Sequence, residues 1–319
     1  MQILVTGGAG FLGSRLVDAL LSAQDAGQAP IMFTEIIAVD LVENDSTDPR
    51  VTSAVGDLTD SAFLESLIGP ETVAIYHLAA ILSGGSAQDF DLALKVNIDG
   101  TRALLDAARA SGSTPLFIFT SSLAVFGGTM PEVVGVEQAT QPDSTYGATK
   151  SIGELLVNEY SRKGYIDGRI CRLPTISVRP GSPNSAASSF ASGIIREPLN
   201  GLPSTCPVPH ETRMWLSSPD TVISNLLHVL SVPAQSLPSW RALNLPGISV
   251  TVGQMLNSLE RVAGEDARAL VTDEMSAEIM EIVCSWPGEF DVRSTLALGF
   301  TADITFDAMV EQYRTAFVR

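Results

Sequence analysis

A tyrosine and a lysine stand at the two ends of the segment Tyr146–Lys150, a spacing that can support proton transfer. On an α-helix, side chains four residues apart lie on the same face, so the two groups would be neighbours. A phenol has a pKa of roughly 10 and is a poor base at neutral pH. Because a nearby ammonium group favours the phenolate, Tyr146 beside Lys150 could remove the proton of a substrate hydroxyl. The alternative is an ordinary amphipathic helix.

Two further polar residues are expected to act with this pair. Thr120-Ser121-Ser122 follows an apolar strand pattern, and a hydroxyl at that point could hold the reacting oxygen near Tyr146. Ser122 is the predicted residue and Ser121 the alternative. Asn97 lies within a helical pattern, where its side chain could bond backbone or hold water near the lysine. The predicted catalytic set is therefore Ser122, Tyr146, Lys150 and Asn97.

The elements that must position these groups alternate between strands and helices. The predicted strands are Ile3–Thr6, Glu35–Asp40, Val51–Gly56, Val73–Leu78, Leu116–Thr120, Gly168–Leu173 and Ala242–Leu245. The predicted helices are Gly13–Ala23, Ser61–Leu67, Asp91–Ser111, Ser144–Arg162, Ala186–Arg196, Ser218–Leu230, Thr251–Ala263 and Phe306–Phe317. Such alternation indicates βαβ units, and hence an α/β fold with a doubly wound parallel sheet.

A glycine-rich segment between the first strand and the first helix predicts a dinucleotide site. Glycines at 7, 10 and 13 let the backbone approach a pyrophosphate, and the helix N-terminus supplies free N–H groups. Asp40 ends the second strand, where a carboxylate can accept both ribose hydroxyls and would repel a 2′-phosphate. The sequence therefore favours NAD over NADP.

Asp57 and Leu58 could hold the adenine, and small residues after the fourth strand let the cofactor lie close to the backbone. His77 is interpreted as a packed strand-end residue. The residues expected to bind the cofactor are Gly7, Gly10, Phe11, Leu12, Gly13, Asp40, Asp57, Leu58, Leu78, Ala79, Ala80, Asn97, Tyr146, Lys150, Pro174, Thr175 and Ile176.

Composition narrows the possible partners and location. A net charge of -17 would repel nucleic acid and anionic lipid. No apolar run is long enough for a membrane span, and the N-terminus reads directly as a strand without a basic leader, so we expect a cytoplasmic protein.

Cys171, Cys206 and Cys284 are far apart and show no metal-ligand spacing. We expect reduced, structural cysteines and no metal.

In order along the chain, these motifs resemble the extended short-chain dehydrogenases/reductases, the NAD-dependent epimerase/dehydratase family. The resemblance covers about the first 175 residues. It implies a Rossmann domain, a nicotinamide cofactor that takes up hydride, and a catalytic set at Ser122, Tyr146 and Lys150. It also implies a homodimer formed through the helices that carry Asn97 and Tyr146.

The resemblance also bears on the type of reaction. Dehydratases of this family carry an Asp-Glu pair directly after the catalytic hydroxyl, where this chain has Leu123 and Ala124. Dehydration is therefore disfavoured, whereas epimerisation stays open. The segment from Arg172 to Gly201 is similar to the D-erythronate dehydrogenase group, and Ser122–Gly127 resembles the L-threonine dehydrogenases. Both groups use small substrates that bear a carboxylate.

A small anionic polyol or sugar acid needs an arginine for its carboxylate and short polar groups for its hydroxyls. The predicted substrate-binding residues are Ser83, Ser122, Tyr146, Arg179, Asn184 and Arg213, with Ser188 and Trp215 as further candidates. We expect residues 1–176 and 214–246 to form the Rossmann domain, and residues 177–213 and 247–319 to form a smaller substrate-binding domain.

Four functions are considered from the sequence. The leading one is an NAD-dependent dehydrogenase that oxidises the 2-hydroxyl of a small sugar acid, as D-erythronate is oxidised to a 2-oxo-tetronate. The second is a nucleotide-sugar 4-epimerase. An L-threonine-type dehydrogenase and a non-catalytic NAD sensor are less favoured, the latter because such sensors often lose the Tyr/Lys pair that this chain keeps.

Overall fold

The computed structural model describes residues 1–181 and 187–318 of the chain. The described strands are β1 Gln2–Thr6, β2 Glu35–Asp40, β3 Val51–Val55, β4 Thr72–His77, β5 Leu116–Ser122, β6 Asp167–Leu173, β7 Thr175–Ile176, β8 Ser204–Cys206, β9 Arg213–Ser217, β10 Ala242–Asn244, β11 Ile248–Thr251 and β12 Val271–Asp273. The α-helices are α1 Phe11–Asp25, α2 Ser61–Leu67, α3 Ser83–Gln88, α4 Phe90–Leu94, α5 Thr101–Ser111, α6 Thr145–Arg162, α7 Phe190–Leu199, α8 Pro219–His228, α9 Val252–Ala263, α10 Glu265–Ala269, α11 Ala277–Val283, α12 Arg293–Ala297 and α13 Phe306–Phe317.

Seven parallel strands form the main sheet, in the order β10-β6-β5-β4-β1-β2-β3. The strand order reverses between β1 and β4, and in doubly wound sheets ligands bind beyond the carboxyl ends of the strands at such a point. The fold class predicted from the sequence, a Rossmann-type α/β sheet, is confirmed.

Apolar residues of the strands pack alternately on the two faces of this sheet. Ile3 and Val5 of β1 pack with α1 and α8 on one face, whereas Leu4 packs with α2, α5 and α6 on the other. Because side chains alternate along a strand, a strand buried on both faces must be apolar at nearly every position. This requirement is why the continuous apolar runs of the sequence predicted parallel strands.

One predicted helix departs from regular geometry. In the predicted segment Asp91–Ser111, α4 passes into a π-helical turn, Lys95–Gly100, before α5 begins at Thr101. A π-turn inserts one extra residue per hydrogen-bonded ring, and such turns often occur at functional sites. Here the turn carries Asn97, which is buried.

Residues after β6 form a second apolar cluster and two small sheets. The sheet order is β11-β9-β7 in one and β12-β8 in the other. The second cluster packs side chains of α7, α9 and α13 together and includes Met214 and Leu216 of β9. Sequence reasoning assigned those two residues to the Rossmann domain. The short strands β7, β8, β9, β11 and β12 were not predicted, and the proposed domain boundaries stay a prediction.

None of the helices described in residues 1–181 and 187–318 has the length and apolar character needed to cross a membrane.

Candidate active site

A cavity of about 610 Å³ opens at the carboxyl ends of the main-sheet strands. Its lining includes the glycine-rich segment, Asp40, Tyr146, Arg179 and Trp286. Most predicted cofactor residues line it: Gly7, Gly10, Phe11, Leu12, Gly13, Asp40, Asp57, Leu58, Leu78, Ala79, Ala80, Tyr146, Lys150, Pro174, Thr175 and Ile176. The structure therefore brings together groups from most of the length of the chain.

The glycine loop has no room for side chains. A Cβ on Gly13 would lie 2.0 Å from the Gly7 carbonyl oxygen, and one on Gly7 would lie 2.9 Å from the Ala79 nitrogen. Gly7 also has a φ of +72°, which favours glycine. Helix α1 begins after Gly10, which provides no side-chain cap. The first N–H groups of α1 are thus available to an anion, and this cradle fits a dinucleotide pyrophosphate.

Two carboxylates lie along the same half of the cavity. Asp40 is held by the backbone N–H groups of Ala9, at 3.0 Å, and Leu41, at 2.7 Å. Because each carboxylate oxygen has two lone pairs, Asp40 can still accept ribose hydroxyls. Hydrogen bonds from Thr59 lower the pKa of Asp57, so this group is charged at neutral pH. Both placements fit the sequence expectation for the adenosine end.

The catalytic candidates Ser122, Tyr146 and Lys150 also line the cavity. Ser144 caps α6, its hydroxyl accepting a hydrogen bond from the Gly147 N–H at 3.1 Å, and so starts the helix next to Tyr146. Lys150 Nζ donates to the Thr120 carbonyl at 2.8 Å and lies 5.7 Å from the centre of the Tyr146 ring. Ser122 lies close enough to the Tyr146 phenol to lower its pKa. The three groups that the sequence predicted to act together are therefore adjacent.

Burial opposes the charged forms of the pair. It raises the pKa of Tyr146 to about 12, against the effect of the Ser122 hydrogen bond. It lowers the pKa of Lys150 to about 7, against the effect of Glu154. Between these values the two residues together lack one proton. Moving the phenolic proton to the amine would give phenolate and ammonium without exchange with solvent.

Ser121, the alternative hydroxyl, has a different role. Its Oγ donates to Glu154 Oε1 at 2.6 Å. Glu154 in turn binds Arg172 through two hydrogen bonds, Nε to Oε1 at 2.9 Å and Nη2 to Oε2 at 2.8 Å. Both charged side chains are almost fully buried. This ion pair joins α6 to β6 one helical turn beyond Lys150. It also holds the Ser121 hydroxyl, which donates to Glu154.

His77 is a structural residue. Its ring contacts Thr6 Oγ1 at 2.7 Å and Thr101 Oγ1 at 2.8 Å, which uses both ring nitrogens. Burial lowers its pKa to about 3, so the ring is neutral at physiological pH. It therefore matches the interpretation from sequence, a packed residue at the end of a strand.

Asn97 is not part of the cavity lining. Its amide accepts from the Ile81 N–H at 2.8 Å and donates to the Ile81 carbonyl at 3.1 Å and to Thr149 Oγ1 at 3.1 Å. Ile81 itself lines the cavity, and Thr149 precedes Lys150. The geometry makes Asn97 a positioning residue, which fixes the loop after β4 against α6.

A further part of the cavity lining, which we call the far end, consists of Leu82, Ser83, Arg179, Ser188 and Trp286. The Arg179 guanidinium lies 6.0 Å from the ring centre of Phe11, at the start of α1. Burial, and then the positive charge of Arg196, lower the pKa of Arg179. Ser83 Oγ accepts from the Ala187 N–H at 3.2 Å. This end combines one cation with short hydroxyls and an indole.

In the described part of the chain, the cavity lining does not include Arg213, a predicted substrate-binding residue, or Trp215, a further candidate. Arg213 lies on β9 with about half of its side chain exposed, and it contacts Ser249 Oγ at 3.2 Å and Glu289 at 3.9 Å. Trp215 is buried against Phe290, with its Nε1 3.3 Å from the Leu245 carbonyl. Asn184 lies outside the described residues.

Sequence reasoning missed Lys95 and Trp286. Lys95, from the π-turn, lines the cavity with its Nζ 4.0 Å from Asp57 Oδ2. Trp286 follows α11, more than a hundred residues after the Arg179 segment. Neither residue belongs to a motif with a fixed spacing. The only available signal was the rarity of their types, three lysines and three tryptophans in 319 residues.

Comparisons of sequence and of structure identify known proteins that are similar to this chain. A family model described as the NAD dependent epimerase/dehydratase family matches residues 3–233. D-erythronate dehydrogenase from Cupriavidus necator is 46% identical over 316 residues, 98% of each chain. D-erythronate dehydrogenase from Haemophilus influenzae is also 46% identical, over 315 residues and 98% of each chain. A solved structure of a nucleoside-diphosphate-sugar epimerase from Agrobacterium tumefaciens is similar with a TM-score of 0.93 and 37% identity, covering 99% of this chain and 94% of that one.

Proposed function

The chain belongs to the NAD-dependent epimerase/dehydratase family, and on that premise we propose that it oxidises the 2-hydroxyl of a small sugar acid of the D-erythronate type. It is an oxidoreductase acting on CH–OH groups, and its cofactor is NAD, whose nicotinamide accepts the hydride. The substrate and the residue roles below are the proposal.

The proposed substrate class rests on the position of Arg179 in the cavity. Among residues 1–181 and 187–318, no carboxylate pairs with its guanidinium, which nevertheless lines the same cavity as Tyr146. Burial partly desolvates this charge, and a desolvated guanidinium binds a carboxylate strongly through paired hydrogen bonds. In a 2-hydroxy acid the carboxylate is bonded to the carbon that reacts. A cation and a proton acceptor in one cavity therefore suit that substrate class.

Each catalytic side chain has a proposed task. Ser122 holds the substrate oxygen, and Tyr146 takes the hydroxyl proton as the C–H bond gives up its hydride. Lys150, fixed by the Thr120 carbonyl, stabilises the phenolate once it carries a proton. Ser83 and Ser188, which line the far end, bond the remaining hydroxyls. Asn97 and the Glu154–Arg172 pair keep these groups in place.

The test is to follow NADH absorbance with purified protein, NAD and a set of small acids. We expect turnover with D-erythronate and closely related four-carbon aldonic acids, and at least tenfold lower kcat/KM with L-threonine. The lower rate is expected because the ammonium group of threonine would approach the cationic Arg179. No NADH formation from any aldonic acid would exclude the proposal.

The second candidate is a nucleotide-sugar 4-epimerase, favoured by the Agrobacterium structure described above. An epimerase returns the hydride, so it shows no net NADH release, and it must bind a nucleoside diphosphate. Isothermal titration with UDP and GDP separates the two functions, because the sugar-acid dehydrogenase should bind neither. A non-catalytic NAD sensor would form no NADH from any of the acids.

We also propose that the chain forms a homodimer through α4 and α6. Leu92, Ile152 and Leu155 leave apolar side chains exposed on these two helices, and Leu155 is 58% exposed. A Leu155→Glu variant should elute as a monomer in size-exclusion chromatography with light scattering, whereas a monomeric wild type would refute this part. The cytoplasmic location expected from the sequence stays a prediction.

A further inference from the structure

We propose that Cys206, His210 and Asp273 form a binding site for one thiophilic divalent cation, of the class of Zn²⁺. None of the three lines the cavity, so the site is separate from the proposed function and does not depend on it. The sequence alone suggested no metal, because its cysteines and histidines show no regular spacing.

Strand pairing brings the first two ligands together. Strands β8 and β12 run parallel, and Cys206 is the register partner of Asp273. Side chains at paired positions of neighbouring strands point to the same face of the sheet. The thiol and the carboxylate therefore meet although 67 positions separate them in sequence, and this is why no spacing motif revealed them.

A tethered turn brings in the third ligand. His210 lies four residues after Cys206, and its Nε2 is 2.8 Å from Asp273 Oδ1. Three backbone hydrogen bonds hold this turn in place: Glu274 N–H to the Cys206 carbonyl at 3.0 Å, Ser276 N–H to the Pro207 carbonyl at 2.9 Å, and Gly253 N–H to the His210 carbonyl at 2.8 Å. The sulfur, nitrogen and oxygen atoms lie within 4.8 Å of one another.

The donor set determines the class of ion. Thiolate, imidazole and carboxylate are the donors that Zn²⁺ prefers, whereas Mg²⁺ and Ca²⁺ favour oxygen donors alone. One thiolate and one carboxylate would balance a charge of +2. Three protein ligands leave the fourth tetrahedral position to water. The Cys206 thiol donates a hydrogen bond to the Val208 carbonyl, with Sγ 3.3 Å from the oxygen, and a metal bond would replace it.

The three ligands belong to different segments of the chain. Cys206 ends β8, Asp273 ends β12, and His210 lies between β8 and β9. Bound metal would join the 206–210 turn to β12 and so stabilise the second apolar cluster.

The experiment uses the full-length chain, stripped with a chelator, and titrates it with Co²⁺. We expect one Co²⁺ per chain, a thiolate-to-cobalt charge-transfer absorption band, and displacement of the band by Zn²⁺. Zn²⁺ should also raise the Tm by several degrees, since a ligand that binds only the folded state stabilises it. Absence of the band in the wild type overturns the proposal.

Single substitutions test whether the cobalt band arises from this site and not from another cysteine. Cys206→Ser should abolish the band, Asp273→Asn should weaken Co²⁺ binding at least tenfold, and Cys284→Ser, the matched control at an exposed cysteine, should change nothing. If Cys206→Ser fails to fold, His210→Gln tests the same site from its exposed side. A band that survives His210→Gln, or one that disappears in Cys284→Ser, assigns the metal elsewhere and overturns the proposal.

Discussion

The two ends of the cavity are built from different parts of the polypeptide. The proposed pyrophosphate site at the cofactor end consists largely of backbone: a glycine loop, the uncapped N-terminus of α1, and the Leu78–Ala80 segment after β4. The far end, which we propose binds the substrate, consists of side chains, among them Arg179, Ser188 and Trp286, from segments far apart in sequence. Tyr146, Lys150 and Ser122 line the same cavity, and because we propose that they serve both cofactor and substrate, they form the boundary between the two ends.

This contrast explains why the two ends constrain the amino-acid sequence differently. A backbone cradle works only if particular positions lack a Cβ, so the glycine spacing is fixed by geometry. A side-chain pocket only needs suitable groups at its wall, and many chain segments can supply them. Changes at the first end should therefore act through fit and stability, whereas changes at the second should act through substrate affinity. The following predictions test that division, beginning with the largest effect.

Tyr146→Phe, at the boundary, should lower kcat for the sugar acid by about 10²–10⁴, the usual contribution of a positioned general base. NAD affinity should be nearly unchanged, because the ring is kept. Steady-state kinetics and NADH fluorescence titration measure the two quantities. The matched control is Tyr165→Phe at a surface tyrosine, and a Tyr146→Phe enzyme with full turnover would refute the proposed mechanism.

Arg179→Gln should raise KM for the sugar acid by about 10–150-fold, corresponding to a hydrogen bond to a charged group of about 1.5–3 kcal/mol. The Kd for NAD should stay within a factor of two. Because Arg179 lies 6.0 Å from the Phe11 ring near the glycine loop, the opposite result would assign it to the pyrophosphate and would shift the boundary between the two ends. Arg213→Gln, outside the cavity lining, is the control and should leave both constants unchanged.

Gly13→Ala tests the backbone end. The new Cβ would meet the Gly7 carbonyl oxygen at 2.0 Å, so the loop must move, at a cost of about 1–3 kcal/mol for overpacking. We expect NAD affinity to fall about 5–150-fold, with KM for the acid little changed at saturating NAD. Gly135→Ala, where no atom lies within 4 Å of the added Cβ, is the control. Normal NAD binding in Gly13→Ala would show that the loop tolerates a side chain.

The pH dependence of kcat/KM tests the boundary between the two ends, which Tyr146 and Lys150 form. Oxidation needs the Tyr146/Lys150 pair with one proton removed, and the pKa of Lys150 is lowered to about 7 while that of Tyr146 is raised to about 12. In the free enzyme, kcat/KM should therefore rise about tenfold per pH unit below pH 7 and level off above it. Lys150→Arg, which stays protonated, should lose this limb. A wild-type profile that falls with rising pH through 7 would contradict the assignment.

Sequence recovered the backbone end better than the side-chain end, for physical reasons. Strands buried on two faces need continuous apolar runs, and a pyrophosphate cradle needs glycines, so both leave a readable pattern. Trp286 carries no such requirement and was found only in the structure. The π-turn at Lys95–Gly100 was also missed, because the residues of this turn have no period distinct from that of an α-helix. Arg179 was identified from chemistry, since an anionic substrate needs a cation.

The buried Glu154–Arg172 pair has a consequence for how such an enzyme can change over generations. Removing either partner leaves a buried charge without its counter-ion, at a cost of about 3–5 kcal/mol, which is a large part of the stability of a typical domain. A lineage can therefore replace the two residues together but hardly one at a time, so they should be inherited as a unit. Arg179 and Trp286, which are only partly buried, are free to vary singly. New substrate preferences should arise there while the charged support beneath Lys150 stays fixed.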